Sequence, residues 1–111
     1  MITIDAKGLF ESISAGQSLL LIDVRQPEEL VYGTLEGAHN YPLTDIPNRL
    51  SELEKLINDQ NQETEIVVFC RMGGRSEQVI SFLERRGSRE LANLVGGTLE
   101  YSEFNDKIQK Y

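Results

Sequence analysis

The sequence predicts an α/β fold built on a mainly parallel sheet. Two short segments, 18–24 and 65–70, are almost continuously apolar, which is typical of strands that are covered on both faces. Helical patterns alternate with these segments and with weaker strand segments along the whole chain, and this alternation favours a parallel sheet. A length of 111 residues fits one domain, which we place at 1–111.

The individual elements are predicted from apolar periodicity and from the residues that begin and end helices. Strands are expected near residue 3 and at 18–24, 38–41, 65–70 and 91–95. Helices are expected from Asp5 to about Ala15, briefly from Pro27 to Gly33, at 46–57, from about residue 75 to Arg86, and at 99–110. The helix after residue 75 places Val79, Ile80, Phe82 and Leu83 on one apolar line.

Composition excludes several classes of function. Cys70 is the only cysteine, so the chain has neither an internal disulfide nor a Cys-x-x-Cys pair, and His39 is the only histidine, so no zinc site is expected. Composition does not exclude a metal site made of carboxylates, but no spacing of acidic residues suggests one. A net charge of −7 argues against general nucleic-acid binding. No apolar stretch is long enough to span a membrane and no leader is evident, so a cytoplasmic protein without membrane association is expected.

Three sequence features are predicted to meet at one edge of the sheet. Cys70 ends one strand, Asp23-Val24-Arg25 ends another, and Gly96-Gly97 follows a third. Because ligands of open parallel sheets bind beyond the carboxyl ends of the strands, this edge is the candidate site.

The segment Cys70-Arg71-Met72-Gly73-Gly74-Arg75, here called the Cys70 loop, has the composition of an anion-binding turn. Gly73 and Gly74 permit a tight turn, and the helix that follows directs its positive pole at the loop. Cysteines in such positions have pKa values of roughly 3.5 to 7.5 instead of about 8.5. Arg71 and Arg75 are unfavourable beside a positive pole unless an anion lies between them.

The alternative for Cys70 is a purely structural role. A single cysteine that ends an apolar strand is by default a small buried hydrophobic residue. The glycine pair, the two arginines and the helix start lie within six positions of it, and together they favour a functional loop. Ser76 is expected to cap the helix or to donate to the loop, and capping is the favoured role.

Four blocks in this order give the sequence a resemblance to the rhodanese family. They are the Cys70 loop leading into Ser76, Asp23-Val24-Arg25 followed by Pro27 and Glu29, the segment from Gly33 to Pro42, and Gly96-Gly97 before the last helix. The resemblance implies a rhodanese-like fold, with about five strands in a mainly parallel sheet and helices on both faces. Two positions depart from the family pattern: Thr34 replaces a frequent histidine, and Tyr101 is the nearest aromatic residue where tryptophan is frequent.

The resemblance also implies sulfurtransferase activity of the thiosulfate type without a cofactor. Cys70 would take the outer sulfur of a small anionic donor such as thiosulfate, become a persulfide, and pass the sulfur to cyanide, a small thiol or a carrier protein. Arg71 and Arg75 would attract the donor, and Met72, Gly73, Gly74 and Ser76 would complete its binding site. Asp23 and Arg25 would support the loop from beneath through an ion pair or hydrogen bonds.

Two other functions fit parts of the pattern. Cysteine-dependent phosphatases of this fold place their arginine one residue farther from the cysteine, in a loop that surrounds a phosphate, whereas here four residues separate Cys70 from Arg75. A binding or regulatory module of the same fold is the second alternative, although inactive relatives usually lose the cysteine.

Overall fold

Five parallel strands form one sheet in the computed structural model, which describes residues 1–111. The strands are β1 (Ile2–Ile4), β2 (Leu19–Asp23), β3 (His39–Asn40), β4 (Glu65–Phe69) and β5 (Ala92–Leu94), and their order across the sheet is β1-β5-β4-β2-β3. Strand β4 is central and pairs with β2 from Leu19 opposite Glu65 to Asp23 opposite Phe69. The predicted strands are confirmed, including the two-residue edge strand.

Helices connect the strands. They are α1 (Ala6–Ser14), α2 (Ile46–Asn58), α3 (Gly74–Arg85) and α4 (Gly97–Tyr101), together with 3₁₀ turns at Pro27–Tyr32 and Leu43–Asp45. As predicted, Asp5 caps α1 by accepting a hydrogen bond from the Gly8 N–H at 2.8 Å. No helix has the length and apolar character needed to cross a membrane.

The core consists of two apolar clusters, one on each face of the sheet. Alternate residues of β4 contribute to different clusters: Ile66 and Val68 pack with α2 and α3, whereas Val67 and Phe69 pack with α1 and α4. Cys70 continues the first series and belongs to the cluster that includes α3. The strand register therefore directs its side chain toward the N-terminus of α3. The α/β class with helices on both faces is confirmed.

Two helix predictions are wrong in part. The last helix ends at Tyr101 instead of extending over 99–110, because Asn105 accepts a hydrogen bond from the Lys107 N–H at 2.9 Å and turns the chain. Beyond this turn, the Gln109 N–H donates to the carbonyl of Tyr32 at 2.8 Å. In α3, Phe82 is 39% exposed and does not belong to the buried line.

Candidate active site

The carboxyl ends of β2, β4 and β5 bring the three predicted features together. The Val24 N–H donates to the Phe69 carbonyl at 3.0 Å, which joins the Asp23-Val24-Arg25 segment to the end of β4. The first turn of α4 donates back to the Cys70 loop: the Thr98 N–H bonds to the Cys70 carbonyl and the Leu99 N–H to the Arg71 carbonyl, each at 3.0 Å. The loop is therefore held by backbone hydrogen bonds from both sides.

Gly97 makes this close approach possible. Its φ angle is +55°, and a Cβ atom there would lie 2.3 Å from the Arg71 carbonyl oxygen and 2.5 Å from that of Cys70. No side chain fits between the two backbones. The prediction that glycine permits close backbone approach before the last helix is confirmed for Gly97, whereas a Cβ atom on Gly96 would first meet the side chain of Glu100.

Cys70 lies almost completely buried at the base of the loop, with 1% of the residue exposed. Burial raises the pKa of its thiol, but hydrogen bonds from the Ser76 hydroxyl and from the backbone N–H groups of Ser76, Gly73 and Met72 lower it, and the net shift is below the ordinary value. The clearest of these contacts is the Gly73 N–H, which donates to Sγ at 3.1 Å. Hydrogen-bond donors thus stabilise the thiolate at a site from which water is largely excluded.

Ser76 lies beside the sulfur and does not cap α3. The N-cap residue is Gly73, which has no side chain, and Ser76 is the third residue of the helix. Its Oγ lies 3.5 Å from Cys70 Sγ and 2.5 Å from Asn93 Oδ1. Capping as the favoured role was wrong, and the geometry places the hydroxyl where it can donate to the sulfur. Its function in binding stays a prediction.

Asn93 of β5 completes this buried group. Its Nδ2 donates to the Gly73 carbonyl at 3.2 Å, and the Glu77 N–H donates to the same oxygen at 3.1 Å. The Ser76 hydroxyl also lies 3.1 Å from this carbonyl oxygen, so its single proton has three acceptors within reach, which are the Gly73 carbonyl, Asn93 Oδ1 and the Cys70 sulfur. Sequence reasoning missed Asn93, although a polar residue in a short buried strand is a usable signal.

The two glycines of the loop have different roles. Gly73 has a φ angle of +110°, a conformation that only glycine adopts without strain, and it places its N–H on the sulfur. Gly74 is the first residue of α3, and a Cβ atom there would meet nothing within 4 Å. The turn therefore requires glycine at 73 but not at 74.

A pocket of about 250 Å³ opens above Cys70. Cys70, Arg71, Met72, Gly74 and Arg75 line it, so all its walls come from the loop itself. Met72 is 61% exposed at its rim. The reactive sulfur is consequently reached from solvent only past the side chains of the loop.

Arg71 has no carboxylate partner. Its guanidinium lies over the ring of Tyr111 at 4.9 Å from the centroid, Nη1 is 3.7 Å from Met72 Sδ, and Nε is buried without a hydrogen-bond partner in the protein. The cation is therefore held in place while its charge stays uncompensated.

Arg75, in contrast, is paired with Glu29. Nη1 and Nη2 donate to the two carboxylate oxygens at 2.6 and 2.9 Å, and this contact raises the pKa of Arg75. Glu29 also accepts from the Gln26 N–H and from the Tyr111 hydroxyl, so four donors surround its oxygens. The Arg75 contact, together with the other hydrogen bonds, lowers the pKa of Glu29 to about 2. Arg75 is also within electrostatic range of Cys70, which contributes to the rise in the Arg75 pKa. Donor binding by Arg75 stays a prediction, and Arg71 differs from it in having no carboxylate that uses its N–H groups.

Asp23 and Arg25 form a fully buried ion pair next to the loop. Arg25 Nη2 lies 2.7 Å from Asp23 Oδ2 and also donates to the Gly33 carbonyl, and neither side chain is more than 1% exposed. Thr34, at one of the two departures from the family pattern, donates to Asp23 Oδ2 at 2.8 Å. Arg25 Nη1 donates to the Tyr111 hydroxyl at 3.0 Å, which links this pair to Glu29 and Arg75. A supporting role for the pair stays a prediction.

Tyr111 is the main residue that sequence reasoning missed. It contacts three separate segments, namely Arg25, the 3₁₀ turn at Pro27–Tyr32 and Arg71 of the Cys70 loop, and the predicted terminal helix would have carried it away from the loop. The turn signal Asn105-Asp106 was available in the sequence, but the destination of the chain after the turn was not. No group of three or more side chains suited to holding a metal ion occurs in the structure.

Comparison with known proteins agrees with this geometry. A family model described as a rhodanese-like domain matches residues 6–104. A sulfurtransferase of Allochromatium vinosum is 31% identical over 99 residues, which cover 89% of this chain and 86% of the relative. A rhodanese-like domain protein from Staphylococcus aureus has a TM-score of 0.73 at 27% identity, with 91% of both chains covered. A human single-domain sulfurtransferase has a TM-score of 0.72 at 26% identity, covering 93% of this chain and 96% of its own. The chain belongs to the rhodanese-like family.

Proposed function

We propose that the protein is a thiosulfate-type sulfurtransferase that carries sulfur as a persulfide on Cys70. The fold and the relatives support sulfur transfer in general. The observation that carries the finer proposal is the surrounding of Sγ: a depressed pKa, a backbone N–H at 3.1 Å and an unpaired arginine in the same loop.

The first half-reaction forms the persulfide. The Cys70 thiolate attacks the outer sulfur of thiosulfate, a new S–S bond forms, and the S–S bond of the donor breaks. Sulfite leaves with the electron pair of that bond. Arg71 attracts the dianionic donor into the pocket and compensates the charge of the leaving sulfite.

The second half-reaction regenerates the thiolate. A thiophilic acceptor such as cyanide attacks the terminal sulfur, forms thiocyanate, and returns the electron pair of the S–S bond to Cys70. Between the two steps the terminal persulfide sulfur is anionic, and N–H groups directed at the base of the loop stabilise such a charge. No proton has to be moved in either step, which fits a site without a histidine.

The acceptor in the cell is proposed to be a small thiol or a carrier protein. The pocket walls come only from the loop, and Met72 at the rim is largely exposed. A partner protein can therefore bring an acceptor sulfur directly to the mouth of the pocket. One unpaired cysteine also fits a reducing compartment such as the cytoplasm.

The test is thiocyanate formation from thiosulfate and cyanide. Wild-type protein is expected to turn over, and Cys70→Ser is expected to fall to the uncatalysed background. The rate should depend on pH through one ionisation, that of Cys70, with a pKa below the ordinary cysteine value. Turnover that survives Cys70→Ser would refute the persulfide mechanism. An aryl phosphate assayed in parallel tests the phosphatase alternative, for which we expect no Cys70-dependent hydrolysis.

A further inference from the structure

Tyr111 does not belong to the Cys70 loop and lies far from it in the sequence, but it contacts Arg71 of that loop. Its ring lies beneath the guanidinium of Arg71 at 4.9 Å, while its hydroxyl accepts from Arg25 Nη1 at 3.0 Å and donates to Glu29 Oε1 at 2.8 Å. Burial raises the pKa of Tyr111, so the hydroxyl keeps the proton that it donates.

The segment that carries Tyr111 is fixed by specific packing. Tyr32 stacks on the Tyr111 ring, with centroids 4.3 Å apart and planes inclined by 10°. The Gln109 N–H bonds to the Tyr32 carbonyl, and the Lys107 backbone passes so close to Gly33 that a Cβ atom there would lie 2.3 Å from the Lys107 carbonyl oxygen. The stacking holds the ring itself and the other two contacts hold the backbone that leads to it, so the position of the ring is determined by the fold.

An aromatic support leaves a cation available to a ligand. A carboxylate partner compensates the charge of an arginine and uses its N–H groups, as Glu29 does for Arg75. A ring contacts the face of the guanidinium, so the N–H groups at its edge and its full charge stay available. Arg71 has this second kind of support, and its buried Nε has no partner in the protein.

We propose that Tyr111 is a positioning residue that holds Arg71 in the wall of the Cys70 pocket and thereby sets the preference of the site for anionic reactants. The inference rests on the proposed function in one respect, because the physiological anion would be the sulfur donor. The charge preference itself is a property of Cys70 and Arg71 and is measurable without any sulfur transfer.

The experiment compares alkylation of Cys70 by iodoacetate, an anion, with alkylation by neutral iodoacetamide. The ratio of the two rates, measured against the same ratio for a free thiol, reports the local cation at the sulfur. Arg71→Gln should lower the ratio by about tenfold and Tyr111→Leu by roughly threefold or more, the range expected from loss of a charged contact and of its aromatic support. Tyr111→Phe keeps the ring and should retain most of the wild-type ratio.

Phe104→Leu is the matched control, because Phe104 is also an aromatic residue near the end of the chain but packs on Phe10 and Tyr101. It should leave the ratio unchanged. Tyr111→Met, which keeps apolar bulk without a ring, replaces Tyr111→Leu if the latter fails to fold. An unchanged ratio in the folded non-aromatic variant overturns the proposal, as does an unchanged ratio in Arg71→Gln.

The thiosulfate assay separates this proposal from the proposed function. If both hold, Tyr111→Leu raises the KM for thiosulfate and changes kcat little, and Tyr111→Phe restores the KM. If the wild type shows no turnover while the alkylation ratio still depends on Tyr111, the proposed function fails and the positioning role stands.

Discussion

The two arginines of the Cys70 loop belong to the same short segment and have opposite surroundings. Arg75, in the first turn of α3, gives both terminal nitrogens to Glu29. Arg71, one residue after the cysteine, lies on an aromatic ring and has no carboxylate partner. The difference teaches that residue type and spacing do not determine which cation is available, because the deciding carboxylate lies 46 positions away in the chain. The terminal N–H groups of Arg75 are used within the protein by Glu29, whereas no carboxylate uses those of Arg71.

Removing Asp23 should produce the largest effect, because it breaks the buried Asp23–Arg25 ion pair that Tyr111 links to Glu29 and Arg75. Asp23→Ala leaves Arg25 charged and uncompensated at a position with no exposure, which should cost about 3–5 kcal/mol of the free energy of unfolding. Urea denaturation measures this loss. The double variant Asp23→Leu with Arg25→Met should recover most of it, since no buried charge remains. A loss below about 1 kcal/mol in the single variant would contradict the assigned burial.

The part of the fold that was predictable from sequence is the part set by local pattern. Segments 18–24 and 65–70 are apolar enough to be covered strands. Because parallel strands end at the same edge of a sheet, the meeting of Asp23, Cys70 and Gly96-Gly97 at that edge was predictable. The depressed pKa of Cys70 also followed from a helix start and glycine at the loop. These inferences need only neighbouring residues and sheet geometry.

The remainder depends on contacts between distant segments. The pairing of Arg75 with Glu29, the support of Arg71 by Tyr111 and the passage of Lys107 over Gly33 have no local signature. The predicted helix at 99–110 was wrong beyond Tyr101. The Asn105 turn that ends it has a local signal, but the hydrogen bond from Gln109 to Tyr32 that fixes where the chain goes next does not. Ser76 was assigned to capping because the αL conformation of Gly73, which moves the N-cap back to that residue, was not foreseen.

The next largest effect is expected from Gly73 and Gly74, which lie between the two arginines of the loop. Gly73→Ala places a side chain at a φ angle of +110° and should destabilise the protein by about 1–3 kcal/mol while displacing the N–H from the sulfur. Gly74→Ala enters open space in a helix and should keep or slightly raise stability. Thermal unfolding and the Cys70 pKa, followed by thiolate absorbance, check both. Equal effects of the two substitutions would contradict the assigned turn.

Exchanging the arginines one at a time sharpens the comparison directly. Arg71→Gln should raise the KM for thiosulfate by about tenfold, equivalent to about 1.4 kcal/mol, with stability unchanged. Arg75→Gln should instead lower stability by about 1 kcal/mol, because it leaves Glu29 without its main partner in a partly exposed pair. Steady-state kinetics and urea denaturation on both variants give the result. If instead Arg75→Gln raised the KM and Arg71→Gln lowered stability, donor binding would be assigned to Arg75.

The smallest expected effect is the pH dependence of the stability that the Glu29–Arg75 ion pair contributes. Because the folded-state pKa of Glu29 is about 2 and its ordinary value is 4.5, its contribution to stability is complete above pH 4.5 and is lost as the pH falls toward 2. In that interval, the wild type should lose roughly 1 kcal/mol more unfolding free energy than Glu29→Gln, a value kept small by partial exposure. If the unfolding free energies of the two proteins changed identically with pH, the Glu29–Arg75 pair would contribute nothing to stability.

The central claim is that the Cys70 sulfur carries the transferred atom, and intact mass spectrometry after treatment with thiosulfate tests it most directly. The wild type is expected to gain one sulfur atom and to lose it on addition of cyanide. The Phe104→Leu control is expected to behave in the same way. Cys70→Ser is expected to gain nothing. A wild-type mass that does not change, or an added sulfur that persists in Cys70→Ser, would contradict the account.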